Sequence, residues 1–554
     1  MRRGGTVARK EQRYPTIQEL VERAVRAHPR KMAVRIPRIR GHRIEYKELS
    51  YGKLWDLAGR FGLWIAREID PGDRIAIISK PSLGWAVTFF AALRAGAVVV
   101  PLDAELQKAE IRRILNEAEV KLLFVAPQRF GELADLSAEV PSLQGVYALE
   151  KGDGNPHIWE LIPDEVIEPA DAKPDPEELA LLMYTSGTTG DAKGVMLSHR
   201  NITSNVVAVT ESIAVGPDDR VVSIVPWYHI YGLTATFIAP LSVGATTLYT
   251  DDYRNLIEIA RRSHFTILIG VPKLFHAMWR RIEENIKSNA IRKVLYYVAP
   301  RLIGKALKKK LLSPEFRFFV SGGAPLDPRV ARGLRRLGLG IIQGYGLTET
   351  APVLTFSKPF ARQAGTVGKP LPGVELKIED PGPDGYGEVL ARGPNVMMGY
   401  YRNPKRTHEV LTPDGWFRTG DLGKLDWRGR LYLAGRKKNV IVLESGKNVY
   451  PEEVEWELAR IPEIEEVMVY ESRRQDKVVV AALIYPNWEV LREQGITEKE
   501  EAKDLIWERI REAQRNLAVF KRIKSKEDIE LVDQPFAKST KQEIKRHLYV
   551  EVRR

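Results

Sequence analysis

Cysteine is missing from all 554 residues. That excludes disulfides, thiolate metal sites and any enzyme-bound thioester. An acyl group destined for a thiol would have to be taken by an external one. Long uninterrupted apolar runs are also lacking. Trp85 to Leu102 carries Arg94 mid-run and Pro101 near its end, and an arginine at a helix centre costs about 2.5–3.5 kcal/mol on insertion. Val221 to Thr250 contains no Asp, Glu, Lys or Arg, but Pro226, Gly232, Pro240 and Gly244 break it and His229 lies inside. Both read as buried strands and helices rather than membrane spans. Met1 to Arg13 is basic without an apolar core behind it, so no signal peptide is expected and a cytoplasmic location is. Zinc-finger spacing, a basic zipper and RNA-binding signatures are all absent, and the basic residues are spread along the chain. No nucleic acid partner is expected, despite a formal net charge of +13. That charge points to a polyanionic substrate or an anionic membrane surface.

What is present is ordinary in bulk: 44% apolar and 28% charged residues over a length that implies more than one domain. The Lys/Glu/Arg-rich composition leans thermophilic. Thr16 to His28 reads as a helix, with Thr16 as N-cap and Glu19 three residues on. Helical spacing continues over Tyr46 to Ile69. A strand at Arg74 to Ser79, a helix at Trp85 to Arg94 and a strand at Ala97 to Pro101 follow. Another cycle runs from a helix at Glu110 to a strand ending at Phe124. This alternation implies an α/β fold with a parallel, doubly wound sheet. Asn155 to Glu177, rich in proline and acid, reads as a linker.

The chain is organised around Tyr184 to Val195, YTSGTTGDAKGV, which follows a short apolar strand at Leu179 to Met183. Thr185, Ser186, Thr188 and Thr189 alternate with Gly187, Gly190 and Gly194 around Lys193. Glycines let the backbone approach an anion, hydroxyls add neutral donors, and the lysine adds a point charge. Such a stretch holds a polyphosphate, although its GxxGxxKG spacing differs from the Walker pattern. The competing reading is a solvated Ser/Thr/Gly loop. The stretch resembles the phosphate-binding loop of the acyl-adenylate-forming superfamily of AMP-binding enzymes, except that Ala192 stands where the family usually has proline.

Further segments extend the resemblance over about Thr16 to Arg546, closest to the long-chain fatty acid–CoA ligases. FFVSGGAP (Phe318 to Pro325) is a strand running into Gly322, Gly323 and Ala324, where bare backbone can lie against a flat ligand. IIQGYGLTET (Ile341 to Thr350) is a second strand ending in Gln343, Gly344, Tyr345 and Gly346. Both loops would lie beyond the carboxyl ends of parallel strands, where ligands bind. The resemblance implies that Tyr345 stacks on adenine, Thr348 contacts the α-phosphate, and Glu349 with Thr185 holds Mg²⁺. It also makes Asp421 (in WFRTGDL) and Arg436 ribose contacts, places His229 (in VPWYHIYG) at the acyl site, makes Lys438 the hinge, and sets Gly446 beside the pantetheine tunnel. Taken alone, Glu349 reads equally as a surface carboxylate and His229 as a core histidine.

The implied architecture is a large N-terminal domain (1–437) of two doubly wound sheets plus a small β-barrel, with a mobile α/β C-terminal lid (438–554). The implied reaction uses ATP, Mg²⁺ and coenzyme A to convert a fatty acid to its CoA thioester through acyl-AMP. Two alternatives stand beside it: hand-off to a carrier protein, and a nucleotide-binding homologue of weakened activity. An oligomer is compatible with the sequence. The lid departs from the family pattern, because alignment on Ile544, Lys545 and Arg546 puts Glu543 where a lysine is usual. A carboxylate facing the α-phosphate is repulsive by roughly 4 kcal/mol, so Lys541 is the expected replacement, with Lys538 and Lys545 behind it. Finally, Arg280 to Lys310 sets ten basic residues against Glu283 and Glu284 alone, interspersed with apolar ones. That segment suits peripheral contact with an anionic membrane, or else forms a solvated helix over the core.

Overall fold

The computed structural model describes residues 13–40, 43–152, 154–165, 168–186, 192–445, 447–474, 477–538 and 544–550. Its first sheet has seven strands. Leu179–Ser186, Val98–Leu102, Arg74–Ile78, Val120–Val125 and Gly145–Ala148 run parallel. Ala192–Ser198 and Gly399–Tyr400 extend one edge in antiparallel fashion. The second sheet has nine strands. Its centre, Thr246–Tyr249, Arg220–Ser223, Ile267–Gly270, Phe318–Ser321 and Gly340–Gly346, is parallel. Antiparallel strands close both edges. These strands carry Val, Ile, Leu and Phe almost continuously, as sheets covered on both faces require.

The expected helix at Thr16 forms as Ile17–Ala27, with its capping box between Thr16 and Glu19 complete. The helix expected from Tyr46 is shorter than predicted. Arg43–Ser50 is a strand paired antiparallel with Met32–Arg40, and the helix begins at Tyr51, where the Ser50 hydroxyl accepts from the Lys53 amide. Ile44 and Tyr46 alternate with charged residues at period two, and that pattern prevails before the cap.

Neither long apolar stretch spans anything. Leu83–Arg94 is a helix buried on every side, and Val98–Leu102 is a central strand. Trp85, Phe89, Phe90, Trp227 and Phe237 interlock there, with ring centroids 4.3–5.6 Å apart. The buried Arg94 guanidinium donates to the Trp55 carbonyl at 2.8 Å and lies over the Trp55 ring. Among the described residues no helix is long and apolar enough to cross a membrane.

Where the small barrel was expected, Glu375–Glu379, Gly387–Arg392, Phe417–Leu425 and Leu431–Arg436 form a four-stranded antiparallel sheet. Leu431 ties it to the second sheet by exchanging backbone bonds with Val367 and Gly368. Beyond the turn Lys437–Asn439 lies a smaller α/β unit with its own core. It packs the helices Pro451–Leu458 and Lys499–Ala513 on the strands Ile464–Arg474, Lys477–Pro486 and Ile529–Leu531.

Candidate active site

The phosphate-loop strand is one arm of a β-hairpin. Tyr184 pairs with Gly194, Thr185 with Lys193 and Ser186 with Ala192. A hydroxyl and the ammonium therefore sit side by side at the tip, with the hairpin's base anchored in the first sheet. Gly187, Thr188, Thr189 and Gly190, like Gly446 and Lys541, lie outside the described residues, as does the Ser186 side chain.

The second sheet supplies the opposite wall. Phe318–Ser321 ends at Gly322, where a Cβ would meet the Tyr231 ring at 2.9 Å. Gly340–Gly346 ends at a position where a Cβ would overlap the Pro352 carbonyl oxygen, so only glycine fits at Gly346. Thr348 is buried in the turn Thr348–Thr350, with Glu349 beside it.

Both sheets, the four-stranded sheet and the smaller unit enclose one cavity of about 2870 Å³. Apart from Gly194, Ser186 and Lys538, every described candidate site residue lines it through its backbone or side chain. They are Thr185, Lys193, His229, Gly322, Gly323, Ala324, Gln343, Gly344, Tyr345, Gly346, Thr348, Glu349, Asp421, Arg436 and Lys438. Of the C-terminal lysines, Lys545 lines the cavity too, whereas Lys538 pairs with Glu466 and does not. The lining also has an apolar arm, Leu274, Met278, Ile282, Leu302, Ile303 and Leu307, among Lys273, Arg281, Asn285, Arg292 and Lys310.

The electrostatics divide the cavity. At one end the Tyr345 hydroxyl donates to Asp421 Oδ2 at 2.8 Å, and Arg436 pairs with Asp421 Oδ1 at 3.0 Å. Burial and the Asp421 carboxylate hold the Tyr345 phenol well above its ordinary range, so it remains a donor. Asp421, which lines the cavity, is thus fixed at two points. At the hairpin tip, burial and the nearby Arg406 push the Lys193 ammonium below the usual lysine range, which Glu349 and Glu409 partly offset. The Tyr400 hydroxyl donates to Glu349 Oε1 at 2.9 Å, and Lys193 Nζ lies 5.6 Å over the Tyr400 ring.

Sequence reading missed Tyr400. It enters through the two-residue edge strand Gly399–Tyr400, paired to Val195 and Met196, and no local pattern marks it. Ser321 lines the cavity, and its buried hydroxyl has no hydrogen-bond partner among the described residues. His229 sits at the N-cap of Ile230–Gly232, with its ring 4.8 Å from that of Tyr228. Glu349 is a single carboxylate: among the described residues no three acidic or imidazole groups cluster as a metal cage. A lone carboxylate beside a phosphate grip fits Mg²⁺, which keeps water and phosphate oxygens around it.

This arrangement has counterparts. The family model described as AMP-binding enzyme matches residues 21–401, and that of the AMP-binding enzyme C-terminal domain matches 438–552. The chain is 33% identical over 456 residues to long-chain-fatty-acid–CoA ligase FadD15 of Mycobacterium bovis, covering 74% of this chain and 73% of that one. It is 31% identical over 486 residues to indoleacetate–CoA ligase of Aromatoleum aromaticum, covering 84% and 88%. In structure it resembles ATP-bound MatB from Rhodopseudomonas palustris, with a TM-score of 0.77, 27% identity, and coverage of 97% and 99%. The chain belongs to the AMP-binding enzyme family, and the two relatives compared by sequence are CoA ligases.

Proposed function

We propose that the chain is an ATP- and Mg²⁺-dependent ligase that activates a long-chain fatty acid as acyl-AMP and passes the acyl group to coenzyme A. The apolar arm of the cavity carries this reading. A small polar acid needs no such space, whereas an alkyl chain buried there gains about 0.8 kcal/mol per methylene. The neighbouring polar end presents phosphate, ribose and adenine partners together.

In the first half-reaction a carboxylate oxygen attacks the α-phosphorus and pyrophosphate leaves. Lys193 and the Thr185 hydroxyl, paired across the hairpin, hold the departing phosphates. Thr348 contacts the α-phosphate. Asp421, braced by Tyr345 and Arg436, receives the ribose hydroxyls, and Tyr345 with the glycines of both loops flanks the adenine. Glu349, oriented by the Tyr400 hydroxyl, and Thr185 would hold Mg²⁺, whose charge would offset that developing on the leaving group. This is positioning and electrostatic stabilisation rather than covalent catalysis. In the second half-reaction the thiol of coenzyme A attacks the acyl carbonyl and AMP leaves. We assign Lys438 as the hinge between units 1–437 and 438–554, in keeping with the start of the second matched family segment at 438. His229 borders the carboxylate end of the arm.

The test is pyrophosphate release with ATP, coenzyme A and carboxylic acids of graded length. Turnover should peak at long alkyl acids. A maximum on sulfonated or aromatic acids would remove the fatty-acid assignment, and no release with any acid would remove the ligase reading.

A further inference from the structure

The helices Ala290–Val298 and Pro300–Leu311 form a hairpin on the outside of the molecule that buries almost nothing. Among their residues only Gly304 is buried. Each boundary is locally encoded: Asn289 caps the first helix through the Arg292 amide, and Pro300 opens the second. Gly304 pins the pair, since a Cβ there would overlap the Leu337 carbonyl oxygen. Tyr296 adds a second anchor beneath the Arg336 guanidinium, 4.9 Å from its ring.

The outward side is unusual. Ile291, Val294, Tyr297, Val298 and Leu302 are 54–78% exposed, a density of bare apolar side chains found nowhere else among the described residues. Exposed apolar patches of this kind mark interaction sites. Around them stand Arg292, Lys293, Arg301, Lys305, Lys309 and Lys310, with no acidic residue in either helix and no salt bridge to any of these six among the described residues. An apolar strip framed by cations without acidic partners complements a surface that offers anions and hydrocarbon together, which is an anionic lipid leaflet. The partly buried Leu295, Ile303 and Leu307 line the cavity, and so do the exposed Leu302, Arg292 and Lys310. The same two helices therefore face outward to solvent and inward to the acyl space.

We infer that this hairpin is a docking face for anionic membrane and that the acyl chain passes from the lipid into the cavity beside it. The docking stands on the exposed surface alone; the passage rests on the fatty-acid reading above. Two pairs of substitutions separate the components, Ile291→Ser with Val298→Ser, and Lys305→Glu with Lys309→Glu. None of the four lines the cavity, and all lie at the surface.

The full chain should cosediment with vesicles of phosphatidylcholine and phosphatidylglycerol but not with phosphatidylcholine alone, and high salt should release it. Each lysine removed should weaken partition by about a factor of 5, so the charge pair should cost at least 10-fold, and the apolar pair a comparable loss. Turnover of a short, water-soluble acid should be unchanged in both, while turnover of palmitate supplied in anionic vesicles should fall in step with binding. Equal binding to both vesicle types, binding to neither, or binding indifferent to both pairs would overturn the docking. Intact vesicle binding with no pyrophosphate release from any acid would leave the docking standing and remove only the passage.

Discussion

At the scale of single residues the site depends on a few charged groups held by neutral neighbours. Lys193→Ala or Glu349→Gln should slow acyl-AMP formation by about 100- to 1,000-fold, the usual loss for one charge-stabilising group. ATP–pyrophosphate exchange measures this, and near-normal exchange in both variants would remove the phosphate and metal roles. Tyr400→Phe removes only the hydroxyl that meets Glu349. A hydrogen bond to a charged group contributes about 1.5–3 kcal/mol, so exchange should fall at least 10-fold and the Mg²⁺ concentration for half-maximal rate should rise. A silent variant would show that Glu349 needs no brace. On the lid, Lys541→Ala should slow acyl-AMP formation strongly while thioester formation from supplied acyl-AMP stays nearly intact. If Lys545→Ala has that effect and Lys541→Ala has none, the cavity-lining lysine takes the role instead.

At the scale of elements, legibility tracked how local the constraint is. The strands leading into the glycine loops were readable because a short apolar run ending in glycine is a local signal. The caps at Thr16 and the strand–helix alternation were readable for the same reason. The first residues of the segment from Tyr46 were not, because strand and helix periodicities coincide over a few positions and long-range pairing with Met32–Arg40 decides. Tyr400 was invisible because it meets Glu349 across 51 residues of chain.

One long-range contact also sets a pH dependence. His199 opens the helix His199–Ile213, and its Nδ1 accepts from the Ile17 amide at 3.3 Å, docking the first helix. Burial pushes its pKa down to about 4 from the usual 6.5. The folded state thus holds the neutral ring while the unfolded chain binds a proton below pH 6.5. The stabilisation is complete above pH 6.5 and is lost progressively as pH falls towards 4, on the order of 3 kcal/mol in all. His199→Asn should flatten the fall of Tm across that window. An unchanged slope would show that another group drives acid unfolding.

At the scale of the whole molecule, polar and aromatic contacts join the smaller unit to the rest, Tyr386 meeting Tyr450 with ring centroids 5.5 Å apart. The Tyr450 hydroxyl donates to Asp384 Oδ2 at 2.9 Å, and Arg460 reaches Asp327 at 3.5 Å. The Glu452 carboxylate lies against Gly435. With the proposed hinge at Lys438, these are the ties that a change of pose would break. Tyr450→Phe should loosen the observed pose by about 1–3 kcal/mol and quicken protease cleavage at the turn Lys437–Asn439, with both units still melting as before. Unaltered cleavage would mean that the remaining contacts hold the unit.

The hairpin that carries Thr185 and Lys193 bears on how such chains tolerate insertions and deletions. Because the two arms stay in register down to Ser186 and Ala192, the turn between them can lengthen or shorten without moving the lysine away from the threonine. A single residue lost between Lys193 and Ser198 is different, since it slips the arm by one and turns alternate side chains to the other face. Lys193 would then point away from the threonine, with every contact residue still present in the gene.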